Sequence, residues 1–148
     1  MGEPMRYVGF LRSLSTGKPV QTSGPRNESE KPENAADGTV DIAKFWGTIP
    51  APQWWRVDLE KEYAIDRVQV VPYFDGHRYY QYTVEVSTDD KAWALVADAS
   101  KNTTPGDEKG YTHKFPPVKA RYVKVNVLKN SDNPAIHLVE VRVFEAGQ

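Results

Sequence analysis

Between Pro72 and Arg78 the chain crowds Tyr73, Phe74, Asp75, His77 and Arg78 around a single Gly76. A segment that only joined two strands would need none of these groups. Flat rings that lie against C–H patches, with forked donors and acceptors that reach adjacent hydroxyls, are the equipment of a sugar-binding loop. Asn130, Asn133 and the stretch around Thr48 supply further polar groups from other loops. A second chemistry is suggested by Asp37 and Glu140. Calcium takes several carboxylate and carbonyl oxygens, held by a loop that turns sharply enough to aim carbonyls inward. The Asp37-Gly38 turn within 34–42 can do this. Glu140 is read onto the strand face shared by Leu138 and Phe144, where an unpaired carboxylate is costly to bury. A cation would relieve that cost; the plainer alternative makes Asp37 an ordinary turn acid and pairs Glu140 with an arginine.

Catalysis finds no such support. Asp89 and Asp90 are adjacent acids in a turn, where solvated carboxylates are the rule, and His77, His113 and His137 are scattered with no nucleophile placed beside them by any motif. The chain is read as a non-enzyme. Asn27 and Asn102 begin glycosylation acceptor patterns, which matter only in a eukaryotic secretory host.

The elements that must position these groups show a period of two. Tyr80, Tyr82, Val84 and Val86 fall on one strand face and Gln81, Thr83, Glu85 and Ser87 on the other, before the turn residues Thr88 to Lys91 and a further apolar run from Trp93 to Ala97. Trp55, Val57 and Leu59 alternate with Trp54, Arg56 and Asp58. Strands are also expected over 65–71, 111–115, 120–128 and 136–144, and an edge strand over 14–21 punctuated by Gly17 and Pro19. Residues 22–33, 47–53, 98–110 and 129–134 read as loops. About eight short strands separated by turn signals, with no helical period, predict an all-β antiparallel sandwich or barrel.

A chain of 148 residues and 16.7 kDa suits one domain with a real core. Lys and Arg total 19 against 20 Asp and Glu, so no net field attracts nucleic acid or an anionic membrane. With no cysteine there is no disulfide framework, thiol nucleophile or zinc ribbon. No run nears the ~20 apolar residues of a membrane span, so a soluble chain is expected. Four Trp, 8 Tyr and 5 Phe beside a mean hydropathy of -0.63 imply that some rings sit at the surface.

Taken in order, LSTGKPV, NAADG then FW, WWRVDL, IDRVQVV, YTVEVSTDDKAW, ARYVKVNV and HLVEVRVFEAG resemble the discoidin, or coagulation factor 5/8 type C, domain family. The likeness is greatest to its bacterial family 32 carbohydrate-binding modules, and it runs over 14–147, leaving 1–13 as an N-terminal extension. It implies a jelly-roll β-sandwich, galactose-binding-domain-like, with a structural calcium near one end and a ligand site in the loops there. By the same resemblance the calcium ligands are the side chains of Asp37 and Glu140, the carbonyls of Asn34 and Val139, and oxygens of Thr39 and of a residue just before Phe45. Two extra residues between Asp37 and Phe45 leave Ile42 and Lys44 both open for that last carbonyl, with Asp41 as another candidate. The sugar site carries over to Tyr73, Phe74, Asp75, His77 and Arg78 with Asn130 and Asn133. Galactose-binding members place an arginine where this chain has Tyr73, so galactose specificity does not carry over. The implied role is a secreted, non-catalytic module that holds a glycoside hydrolase or a surface protein near a terminal sugar. The alternative is a protein-interaction or membrane-adhesion module like the animal branches, for which Ile49 is the sole apolar spike.

Overall fold

The computed structural model describes residues 12–148. Seven strands follow one another as β1 (Val20–Thr22), β2 (Trp46–Thr48), β3 (Gln53–Pro72), β4 (Tyr80–Ser87), β5 (Ala94–Ala99), β6 (Tyr111–Asn130) and β7 (Ile136–Glu145). Two short 3-10 turns, Glu28–Glu30 and Pro32–Ala36, lie between β1 and β2. Every pairing is antiparallel, in the order β2-β7-β3-β6-β4-β5, with β1 also on β3.

This ladder makes a two-layer sandwich because β3 and β6, at 20 residues each, serve both layers. The first half of β3 lies between β1 and the second half of β6, with Val57 opposite Val20 and Val123, and that layer continues through β4 to β5. The second half of β3 lies between the first half of β6 and β7, with Val68 opposite His113 and Val143, and that layer ends at β2. Each long strand bends at a bulge. On β3 the register jumps between Asp58 and Tyr63 around exposed Glu60, Lys61 and Glu62, while on β6 it jumps between Lys114 and Val118, where Pro116 and Pro117 stand. Prolines are tolerated there because a bulge needs no ladder hydrogen bond from them.

Alternation then builds the core. Trp55, Val57, Val84, Val86, Val123, Val125 and Val127 point inward from one layer, and Val68, Val70, Ile136, Leu138, Val141 and Val143 from the other. Trp55 is fully buried and its indole N–H donates to the Pro32 carbonyl at 3.0 Å, anchoring the second 3-10 turn to β3. Two tyrosines of β4 reach across to histidines of the opposite layer: Tyr80 Oη lies 2.6 Å from His137 Nδ1, and Tyr82 Oη 2.6 Å from His113 Nε2.

Several strand boundaries differ from the sequence expectation. Residues 14–17 form a turn rather than part of an edge strand, and Gly17 adopts φ 74 there. Trp46–Thr48 is a strand although Gly47 and the following prolines read as loop. The segments expected at 55–59 and 65–71 are one strand, as are 111–115 and 120–128. Glu140 does not share its face with Leu138. The register against β3 slips between Val71↔Glu140 and Pro72↔Leu138, so that Val141 and Val143 continue the core row of Ile136 and Leu138.

Candidate functional site

The ends of β3, β6 and β2 and the starts of β4 and β7 bring three loops to one pole of the sandwich: 73–79, 131–135 and 49–52. Their own side chains shape them. Asp75 Oδ1 accepts from the amides of His77 at 3.2 Å and Arg78 at 3.0 Å, closing a turn in which Gly76 takes φ 90. Arg78 Nε donates to Asp75 Oδ2 at 2.7 Å and its Nη2 to Asp132 Oδ2 at 3.1 Å, while the guanidinium lies 5.0 Å from the centre of the Tyr73 ring. Burial works against the charged form of Asp75, but the amides and the guanidinium outweigh it and hold the carboxyl down at about 2. Ser131 trades two hydrogen bonds with the backbone of Tyr79, and Ala51 N donates to the Pro134 carbonyl, so the three loops are tied together.

The expected sugar-site residues therefore divide by what they do here. Arg78 is committed to two carboxylates and to one face of Tyr73, so it braces two loops. Asn130 is 5 % exposed; its amide donates to Asn133 Oδ1 and the Ala135 carbonyl and accepts from the Asp132 amide, which forms the 130–135 turn. Asn133 is exposed, though its Oδ1 also accepts from the Ala135 amide. Phe74 is half-buried and His77 is exposed, with 72 % of its side-chain surface free.

Beneath the loops is an aromatic floor that sequence reading did not assemble. Phe45 packs edge-on to Tyr73 (5.6 Å) and to His137 (5.3 Å), and Tyr73 lies 5.6 Å from His137. Burial, and then the charge of Arg78, push His137 down to about 4, so its ring is neutral at ordinary pH; burial pushes the Tyr80 hydroxyl up to about 12. The signal for His137 was hidden because it alternates with core residues Ile136 and Leu138, as any outward strand residue does.

The second cluster sits where the 3-10 turn Pro32–Ala36 meets β7. Glu140 is fully buried. Its Oε2 accepts from the Gly38 amide at 3.0 Å and lies 3.8 Å from Arg142 Nε, while its Oε1 is buried without a partner. Burial, then the nearby charge of Asp37, push this carboxyl up to about 8 against the pull of Arg142 and Gly38. Thr39 donates through both its amide and its hydroxyl to Asp37 Oδ1, at 2.9 Å each, and Asn34 Nδ2 donates to the Phe45 carbonyl at 3.0 Å, closing the loop onto β2. Asp37, Thr39 and Glu140 thus gather around Gly38, with Val139 adjoining on β7, whereas Asn34 is tied to the Phe45 carbonyl and Ile42 lies farther along the loop, 43 % exposed. Among the described residues no group of three or more His, Cys, Asp or Glu is placed to hold a metal, so a cation here would depend on carbonyl oxygens.

Asp89, Asp90 and His113, outside these clusters, have structural partners. Asp89 caps its turn by accepting from the amides of Lys91 and Ala92, Asp90 pairs with Arg56 at 2.5 Å, and His113 pairs with Tyr82.

The family model described as the F5/8 type C domain matches residues 19–141. The chain belongs to that family. No curated protein matches the chain. Among solved structures it is similar to a pectin-binding carbohydrate-binding module, with 25% identity over 93% of this chain and 94% of that one and a TM-score of 0.73. It is also similar to the CBM32 of AlyQ in complex with 4,5-unsaturated mannuronic acid, with 22% identity over 86% and 95% of the two chains and a TM-score of 0.73. A third similar structure is the family 89 glycoside hydrolase of Clostridium perfringens, of which this F5/8 type C domain covers 14%, with 22% identity over 90% of its own length and a TM-score of 0.77.

Proposed function

We propose that this domain is a non-catalytic carbohydrate-binding module of the family 32 kind, which holds a secreted parent enzyme or surface protein at a terminal sugar of a glycan. The observation that carries the reading is the convergence of three tied loops on one pole, where Phe74, His77 and Asn133 stand exposed or half-exposed above the floor of Phe45, Tyr73 and His137. A ring edge or face and a few forked polar groups suit one sugar unit. Each hydroxyl bond replaces one already made to water, so a dissociation constant of roughly 10 μM to 1 mM is expected, with avidity left to repeated modules. Carbohydrate modules similar in fold, one of them in complex with an unsaturated mannuronic acid, support the ligand class.

The same reading places a structural calcium between Asp37 and Glu140. The residues present fit it: the orphaned Glu140 Oε1 is a buried carboxyl oxygen facing no donor, next to a second carboxyl group and a turn rich in carbonyls. Asn34, Thr39, Val139 and Ile42 would contribute the remaining oxygens. Bound there, calcium would neutralise the two acids and hold the 34–42 loop against β7.

A glycan array in calcium buffer, followed by calorimetry with the best binder, tests the reading. His77→Ala and Phe74→Ala are expected to weaken binding with the melt unchanged. Binding of both variants at the parent's strength would move the site elsewhere. If no glycan binds at millimolar concentration, the protein-interaction or membrane-adhesion reading takes over, with Ile49, 59 % exposed in the 49–52 loop, as its contact.

A further inference from the structure

The hydrogen bond between Tyr80 and His137 fixes which of the imidazole nitrogens carries the proton. Tyr80 is buried, and its hydroxyl has a single hydrogen-bond partner among the described residues, His137 Nδ1. A buried hydroxyl hydrogen left without an acceptor is costly, so the hydroxyl donates along that contact. Its hydrogen points to His137 Nδ1, 2.6 Å away. The reverse arrangement, with Nδ1–H donating to Tyr80, would leave the buried tyrosine hydrogen without an acceptor. His137 is therefore the Nε2–H tautomer. Nε2 has no hydrogen-bond partner among the described residues, and it is not among the buried atoms lacking one. The ring is only partly covered, by Phe45 on one side and Tyr73 on another.

We propose that His137 contacts the ligand directly, offering Nε2–H to an acceptor oxygen of the bound sugar, and that Tyr80 is the positioning residue that sets this tautomer. The inference rests on the carbohydrate reading of the same pole. A fixed donor favours sugars with a strong acceptor, such as an N-acetyl carbonyl or a uronate carboxylate, over sugars with hydroxyls alone. Any hydroxyl can turn to accept, but it is the weaker acceptor and loses a rotor when it is fixed.

The test has two arms. Long-range proton–nitrogen correlation of the histidine rings at neutral pH is expected to show His137 as the Nε2–H tautomer in the parent and as a mixture in Tyr80→Phe. In the second arm, N-acetylglucosamine, galactose and an oligogalacturonate are titrated by calorimetry, with each variant's melt recorded. His137→Ala should weaken the best of the three by about five- to tenfold, the worth of one hydrogen bond. His137→Gln, whose amide nitrogen sits near the Nε2 position, should restore binding to within about twofold, and His137→Asn should not. An Nδ1–H tautomer in the parent overturns the proposal, as does binding by His137→Ala at the parent's strength when Phe74→Ala has lost it. If none of the three sugars binds the parent, the proposal falls together with the carbohydrate reading, whereas the other two results sink it alone.

Discussion

With calcium chelated, the domain is expected to lose stability as pH rises from 5 to 7.5, and Glu140 is the cause. Its carboxyl is raised from 4.5 to about 8 in the folded state. Across the window between those values the folded chain keeps a proton that the unfolded chain has released. Unfolding therefore releases a proton, and stability falls with rising pH by ~1.4 kcal/mol per unit. Over 2.5 units this is about 3 kcal/mol, an upper value because water entering the cluster would soften it. In urea the midpoint would drop by roughly 1–2 M. Glu140→Gln has no such proton, so its unfolding midpoint should be nearly level over the window and should exceed the parent's at pH 7.5 in chelator. Millimolar calcium should reverse the ranking, because it holds the ionised carboxylate of the parent alone. Tryptophan fluorescence in urea at both pH values, for both proteins, with and without calcium, gives all the midpoints needed. If chelated parent and Glu140→Gln show the same pH slope, Glu140 is already satisfied by Arg142 and both the argument and the calcium site fail.

Trp55→Phe should cost about 1–2 kcal/mol in urea unfolding, since it loses the bond to the Pro32 carbonyl but keeps most of the buried ring, and Trp55→Ala about 3–5 kcal/mol. Asn130→Ala removes three bonds from a buried turn and should lower the melt as well as sugar affinity, unlike His77→Ala and Phe74→Ala, which should lower affinity alone. Asp58 is paired with Arg121 through two bonds near the surface, and its carboxyl is held below 3.8 by that partner against the cost of burial. Its contribution, present above the unfolded value and lost as pH falls through the folded one, should be no more than ~1 kcal/mol, as read from Asp58→Asn at pH 7 and pH 3.

Tyr80 to Ser87 was legible because alternation survives along β4, and Ile136 to Phe144 matches β7 to within a residue as an apolar run, although that strand is buried along most of its length. Strand continuity was not legible. Pro116-Pro117 and the Glu60 to Glu62 run look like breaks in a sequence, but here they are bulges at which a strand changes layers. At the pole of the three loops, the loop Tyr73 to Arg78 was visible as a concentration of chemistry. Which of its groups are spent internally was not, because the partners of Arg78 and Asn130 come from a loop some fifty residues away or from the turn's own backbone. The buried state of Glu140 was foreseen, but the bulge at Val139 that turns it out of the Leu138 row leaves no mark in the sequence.

Because β3 and β6 thread both layers, neither layer can peel off alone: freeing one means tearing half of each long strand from its neighbours and dragging the other half with it. Amide hydrogens on the two sides of each bend should then exchange with one common free energy, that of global opening, while those of the short edge strands β1 and β2 exchange sooner. The same wiring makes assembly slow. Gln53 must find Val127 and Ile65 must find Glu145 before either bend has anything to rest on, so the chain commits most of its loop-closure entropy ahead of its reward and is most open to mispairing while it does so.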